Sequence, residues 1–136
     1  MKNSILIFFL ILNMNLFAQK AITPDKGSSD RKVILDILRK DFGEEKNQIL
    51  FKVNHFLISG SWACVMVTPL KNNSEEAEPR WNLLNRVGEK WKIVNWSKGI
   101  EIQDDFELID LPIQNQRIAK LIIKKYPTCP MAIFGK

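Results

Sequence analysis

The chain has 136 residues and a mass of 15.8 kDa, which suits one domain and leaves no room for a second substantial one. A hydrophobic content of 46%, with six Gly and six Pro, excludes collagen-like, low-complexity and disordered proteins. The net charge of +5 raises the question of a nucleic-acid or anionic partner, while one His and two Cys are too few for the usual four-ligand structural zinc site.

The first 18 residues have the pattern of a secretory signal peptide. A short start with Lys2 precedes a largely apolar run over residues 5–17, and Ala18 is a small residue at the cleavage position. The run is shorter than the roughly 20 apolar residues that span a bilayer, which argues against a retained anchor. We therefore expect export to the periplasm or beyond the cell, a flexible lead-in over residues 19–29 and a single domain over residues 30–136. Cleavage would remove only Lys2 among the charges and leave a net charge of +4.

The first predicted helix follows the lead-in. Ser29 or Asp30 can cap it, and Gly43 is placed to end it. Its apolar residues recur at helical spacing, which predicts one buried face on a sheet. These residues are Ile34, Leu35, Ile37, Leu38 and Phe42.

Two strands are predicted next, over residues 49–58 and from Trp62 onward, separated by Ser59 and Gly60. The second strand alternates two apolar faces, which predicts a central strand or one that is covered on both sides. Residues 69–79 are polar and rich in turn-forming types, so they are predicted to connect strands at the surface.

The clearest hairpin surrounds Gly88 and Glu89, with strands over residues 80–87 and 90–97. A three-residue connection would separate apolar from charged side chains. Trp81, Leu83, Val87, Trp91 and Ile93 would then share one face, and Arg80, Arg86 and Lys92 the other.

A second amphipathic helix is predicted from Pro112 to about Tyr126 and Pro127. The predicted fold class is therefore α+β, with an N-terminal helix packed on a four-stranded antiparallel meander sheet and a C-terminal helix.

Export would place Cys64 and Cys129 in a compartment where disulfides persist. A bond between them would stabilise the fold by roughly 4 kcal/mol in the chain-entropy model. The alternative is that Cys64 is a small buried hydrophobic residue and Cys129 belongs to the C-terminal tail. Two cysteines do not fix the geometry, so both interpretations stay open.

The hairpin is the strongest candidate for a binding surface, because basic side chains interleave there with tryptophans. Its candidate ligand or partner residues are Trp81, Arg86, Lys92 and Trp96. A small domain also needs large side chains in its core, and the modest charge of the mature chain argues against a nucleic-acid partner.

The C-terminal part of the sequence has five acids over residues 101–110, followed by five bases over residues 117–136. This order matches a helix macrodipole, and the acidic spacing lacks the pattern of an EF-hand calcium loop. We expect no metal ion and no cofactor.

His55 is the candidate for a general base. No carboxylate or Cys partner stands at a recognisable spacing, and the sequence lacks a nucleophile elbow, a phosphate loop and a metal-binding His pair. The alternative is a half-buried strand residue that bonds to backbone.

Four short motifs lie between Arg31 and Gly99, namely Ile34-Leu35-Asp36, Phe51-x-Val53, Gly60-x-Trp62-Ala63 and Trp91-Lys92-Ile93-Val94-Asn95-Trp96. They resemble those of a family of small exported proteins from Gram-negative bacteria with a cystatin-like or nuclear-transport-factor-2-like α+β fold. The family has no assigned activity, so the resemblance implies a fold and export but no catalytic residue. An acidic residue commonly stands in the family where Asn95 is here, which argues against an acid–base role for that position.

These features together favour an exported, non-enzymatic binding or interaction module, with the sheet face away from the first helix as its contact surface. One alternative is a small-ligand-binding protein or simple acid–base enzyme with a pocket between sheet and helix and His55 as its base. Another is an inhibitor or immunity-type protein. The sequence names neither the partner nor the oligomeric state, and it predicts no membrane span in the mature chain.

Overall fold

The computed structural model describes residues 20–43, 49–75, 77–101 and 116–135. In chain order they form α1 (Ser29–Phe42), β1 (Leu50–Ser59), β2 (Trp62–Lys71), β3 (Ser74–Glu75), β4 (Arg80–Val87), β5 (Lys90–Ile93), α2 (Gln116–Lys125) and a 3₁₀ helix (Met131–Phe134). The strands form one antiparallel sheet in the order β1-β2-β4-β5, with β3 paired to the end of β2. The predicted α+β class, with a helix packed on an antiparallel sheet and a second helix, is confirmed.

The cap of helix α1 lies one residue before Ser29 and two before Asp30, the two predicted caps. The cap is Ser28, whose side chain accepts a hydrogen bond from the Arg31 amide at 3.3 Å. Gly43 follows the last turn with a φ of +139°, a conformation that favours glycine and ends the helix as predicted. Ile34 and Leu38 lie one turn apart, are fully buried and fix α1 on the sheet.

The central strand β2 has an apolar layer on each side, as its sequence pattern predicts. Ala63, Val65 and Val67 pack with α1 on one face of the sheet, which we call the α1 face. Trp62 and Cys64 pack with α2 and the 3₁₀ helix on the other, which we call the α2 face. The face expected to contact a partner is therefore covered by the C-terminal part of the chain.

A β-bulge at Asn54 interrupts β1. Val53 pairs with Val67, and His55 pairs with Met66, so Asn54 is left without a partner in the ladder. The Asn54 side chain instead accepts a hydrogen bond from the buried Thr68 hydroxyl at 2.8 Å. Because the extra residue shifts the alternation, His55 lies on the α2 face and not beside Val53 on the α1 face.

Two hairpins differ from their predicted form. The polar segment 69–79 contains the end of β2 and the short β3, joined by Asn72 and Asn73 with φ of 51° and 61°. In the second hairpin, Val87 pairs with Lys90, so the connection has two residues and the predicted three-residue register is wrong. Strand β5 also ends at Ile93, four residues before the predicted end.

Within residues 20–28, where the sequence predicts part of a flexible lead-in, Ile22 lies beside β1. Ile22 forms an antiparallel bridge with Ile58 through two backbone hydrogen bonds of 2.8 and 2.9 Å. At the other end of the chain, α2 ends at Lys125, directly before the predicted stop at Tyr126. The predicted signal peptide over residues 1–18, the acidic residues 102–110 and the predicted helix start at Pro112 lie outside the described residues.

Candidate functional site

Of the four predicted surface residues, Trp81 belongs to the core and Trp96 packs against it. Trp81 is only 7% exposed and lies on the α2 face, where it packs with residues of α2. Trp96 is half-buried against the same cluster, and its ring centroid is 4.6 Å from that of Trp81. The contact between the two rings contributes to packing on the α2 face of the sheet.

Arg86 lies on the α1 face, directly opposite Trp91 in the β4–β5 ladder. Its guanidinium carbon is 5.1 Å from the centroid of the Trp91 ring, and its Nη1 is 3.6 Å from Oδ1 of Asp30. Arg86 is therefore on the same face as Trp91, and the prediction that separates them is wrong. The contact joins the start of α1 to the β4–β5 hairpin.

Three further arginines cover aromatic rings in the same way. The pairs, all within 6 Å of the ring centroid, are Arg31 with Phe56, Arg39 with Phe51 and Arg80 with Phe42. Arg31 and Arg39 also donate to backbone carbonyls, those of Pro24 and Ile49. These three arginines and Arg86, four of the 20 basic side chains, therefore pack against aromatic rings of the fold.

Lys92, the fourth predicted residue, is exposed on the outermost strand of the described sheet. Its neighbours Lys90 and Ile93 are exposed as well, and Val87 across the hairpin is 63% exposed. Within the described residues, neither lysine forms an ion pair and no strand pairs with the outer side of β5. We call Val87, Lys90, Lys92 and Ile93 the β5 edge surface.

His55 bonds to backbone. Its Nε2 lies 2.8 Å from the carbonyl oxygen of Ile133 in the 3₁₀ helix. A carbonyl only accepts hydrogen bonds, so this contact requires the proton on Nε2. The described part of the chain shows no hydrogen bond from His55 to a carboxylate. A base acting through Nε2 would therefore have to break the bond that holds the C-terminal segment to β1.

Cys64 and Cys129 are both free thiols and both buried in the cluster between the sheet and α2. Burial raises the pKa of the Cys64 thiol well above its usual range, and a Cys129 thiolate would raise it further. Burial alone raises the pKa of Cys129 to about 12. Both groups are therefore protonated at neutral pH and react slowly as nucleophiles in the folded chain.

The described ranges contain no group of three side chains that could hold a metal ion. Neither α1 nor α2 is long and apolar enough to cross a membrane. Comparison with protein-family models, curated protein sequences and solved structures finds no match for this chain.

Of the β5 edge surface, Lys92 is among the four residues predicted from the sequence, whereas Val87, Lys90 and Ile93 are not. The signal that could have found them is the Gly88-Glu89 pair, since two-residue loops with glycine are the favoured connections of β-hairpins. A two-residue loop places Val87 opposite Lys90 and leaves both at the tip.

Proposed function

We propose that the chain is an exported, non-enzymatic binding module that pairs the β5 edge surface with an extended, acidic segment of another exported protein. The observation that supports this function is an outer strand with two exposed lysines that lack ion pairs among the described residues. A strand at the edge of a sheet presents unpaired backbone N–H and C=O groups, which an extended peptide can use to add a strand.

The side chains of β5 determine the kind of segment that fits. Lys90 and Lys92 lie on one side of the strand, because side chains alternate and Trp91 between them is buried against the α1 face. A partner strand with carboxylates at every second position would place them beside the two ammonium groups. Val87, which pairs with Lys90, supplies exposed apolar area on the face of the lysines, and Ile93 supplies it on the α1 face beside Trp91. Opposite charge would also speed the encounter of the two proteins.

A pocket between sheet and helix receives less support. Trp62 and Trp91 are each 5% exposed, and they fill space on the α2 face and the α1 face respectively. His55, the base of that alternative, bonds to the backbone of the 3₁₀ helix. No observation on the described residues favours the small-ligand or acid–base alternative over the binding module.

The cystatin-like relationship is part of the proposal. It is supported by the order of one helix followed by an antiparallel meander, with α1 packed across the sheet. Helix α2 on the opposite face would then be an addition to that arrangement.

Export is the second part of the proposal and has its own test. Cells that produce the complete 136-residue chain should hold it outside the cytoplasm, with Gln19 as the first residue. Intact mass and N-terminal sequencing of the fractionated protein measure both. A chain that keeps residues 1–18 and stays in the cytoplasm would contradict export.

Binding is tested with a fluorescein-labelled peptide of alternating Glu and Thr, followed by fluorescence anisotropy at low salt. The double variant Lys90→Glu/Lys92→Glu should bind the peptide about tenfold more weakly, since two attractive charges become repulsive. The matched control is Lys32→Glu/Lys120→Glu, which changes two exposed helix lysines and gives the same net charge. A peptide methylated on alternate backbone nitrogens keeps its charge but loses strand pairing, so it should bind weakly as well.

Equal loss in both double variants would show a general charge effect and would refute the β5 edge surface as the site. Full binding of the methylated peptide would refute strand addition. A wild-type chain that fails to bind the Glu-Thr peptide would refute the acidic class of partner.

A further inference from the structure

One strand alternation and two hydrogen bonds place the two cysteines in one region of the α2 face. Trp62 and Cys64 lie two residues apart on β2, so their side chains point to the same face. The Trp62 indole donates a hydrogen bond to the Thr128 hydroxyl at 3.1 Å, and Cys129 is the next residue. Cys129 is in turn fixed by its amide, which donates to the Tyr126 carbonyl at 2.9 Å. The two thiols then belong to one apolar cluster, although 64 residues separate them in sequence.

From this placement we infer that Cys64 and Cys129 are a disulfide site, which joins the central strand of the sheet to the segment between α2 and the 3₁₀ helix. The reagent is a small-molecule disulfide of the glutathione class. One cysteine thiolate attacks it, forms a mixed disulfide and releases one thiol; the second cysteine thiolate then displaces the other thiol. The chain loses two protons and two electrons, and the reagent disulfide is reduced to two thiols.

The burial of the two groups determines when the bond forms. Cys64 is inaccessible to solvent and Cys129 is 2% exposed, so a soluble disulfide cannot reach either in the folded chain. The raised pKa of both thiols also keeps the reactive thiolate scarce. Oxidation therefore has to occur during folding, before α2 and the residues after it cover the sheet. A chain that folds in a reducing compartment would keep both thiols.

The disulfide would join the C-terminal segment covalently to β2. The contacts that hold the C-terminal segment to the strands include the Trp62–Thr128 and His55–Ile133 hydrogen bonds. A disulfide would restrict the unfolded chain and keep this segment near β2. It does not depend on the β5 edge surface, which lies on a different strand of the sheet.

The test uses the complete chain in two matched samples in the same mixture of reduced and oxidised glutathione. One sample is refolded from denaturant, and the other is the folded, reduced chain. At intervals each is denatured, treated with maleimide and weighed as an intact protein. The refolded chain should be lighter by two hydrogens and carry no maleimide, whereas the folded sample should oxidise at least about tenfold more slowly. The oxidised chain should melt about 10 °C or more above the reduced one.

The variants Cys64→Ala and Cys129→Ala should show no melting shift between oxidising and reducing buffer, and the double variant controls for lost packing at both positions. Two maleimides on the refolded wild-type chain would overturn the site. Glutathione adducts or linked dimers without the internal bond would overturn it as well. Equal oxidation rates in the two samples would overturn the requirement for folding.

Discussion

The Trp91 indole donates a hydrogen bond to the Asp30 carboxylate, with 2.9 Å between Nε1 and Oδ1, and so ties the first turn of α1 to β5. Trp91 is 5% exposed, and Asp30 also lies 3.6 Å from the Arg86 guanidinium. Strand β5 has no partner strand on its outer side among the described residues, and this hydrogen bond fixes the strand to α1. The β5 edge surface depends on this contact for its position.

Replacement of Asp30 by alanine should lower the free energy of unfolding by about 1–2 kcal/mol, because it leaves the buried indole N–H without an acceptor. Asp30→Asn keeps an acceptor oxygen and should cost less than about 1 kcal/mol. Urea unfolding followed by tryptophan fluorescence measures both. Asp25→Ala, at an exposed position before the helix, is the control and should stay within about 0.5 kcal/mol of the wild type. Equal effects of Asp30→Ala and Asp25→Ala would contradict the contact.

His55 should carry its proton on Nε2 when neutral, because the Ile133 carbonyl accepts from that atom. Long-range ¹⁵N–¹H spectra of the imidazole distinguish the two tautomers directly. His55→Ala should lower the free energy of unfolding by about 1 kcal/mol, since the Ile133 carbonyl loses its donor. A neutral ring protonated on Nδ1 would show that this hydrogen bond is absent and would return His55 to consideration as a base through Nε2.

Trp81 and Lys92 were predicted as members of one surface, and single substitutions should separate them. Trp81→Ala should destabilise the chain by about 3–5 kcal/mol, because it empties part of the cluster between the sheet and α2. Lys92→Ala should change the free energy of unfolding by less than about 0.5 kcal/mol, because the side chain is exposed. Denaturant unfolding of both variants is the measurement. A tolerated Trp81→Ala would mean that this ring is not part of the core.

The elements that the sequence predicts well are those with local signals. Helix α1 follows from the spacing of Ile34 and Leu38 and from Gly43 at its end, and β2 follows from its two alternating apolar faces. The bulge at Asn54 has no such signal, because it is stabilised by Thr68, a residue of the next strand. Sequence periodicity alone therefore leaves His55 on the wrong face.

The candidate surface was only partly predictable for the same reason. Interleaved tryptophans and basic residues are visible in the sequence, but the cover over Trp81 comes from α2, which is distant along the chain. The face of the sheet on which Arg86 lies depends on the hairpin register, and one residue more or less in the loop changes that register. Lys92 is exposed, and it is the one of the four predicted residues that lies on the β5 edge surface.

Gly88 is the residue on which that register depends. Its φ is +63°, and a Cβ at this position would meet no atom within 4 Å, so alanine there is opposed by backbone strain alone. Gly88→Ala should therefore cost about 1 kcal/mol in the free energy of unfolding.

Gly27 is the matched control, because its Cβ would also lie in open space and its backbone does not have a positive φ. Gly27→Ala should be neutral or stabilise the chain by up to about 1 kcal/mol, since it restricts the unfolded state. Thermal and urea unfolding of both variants give the comparison. Equal stability of the two would mean that residue 88 can leave the left-handed region, and the pairing of Arg86 with Trp91 would then lose its basis.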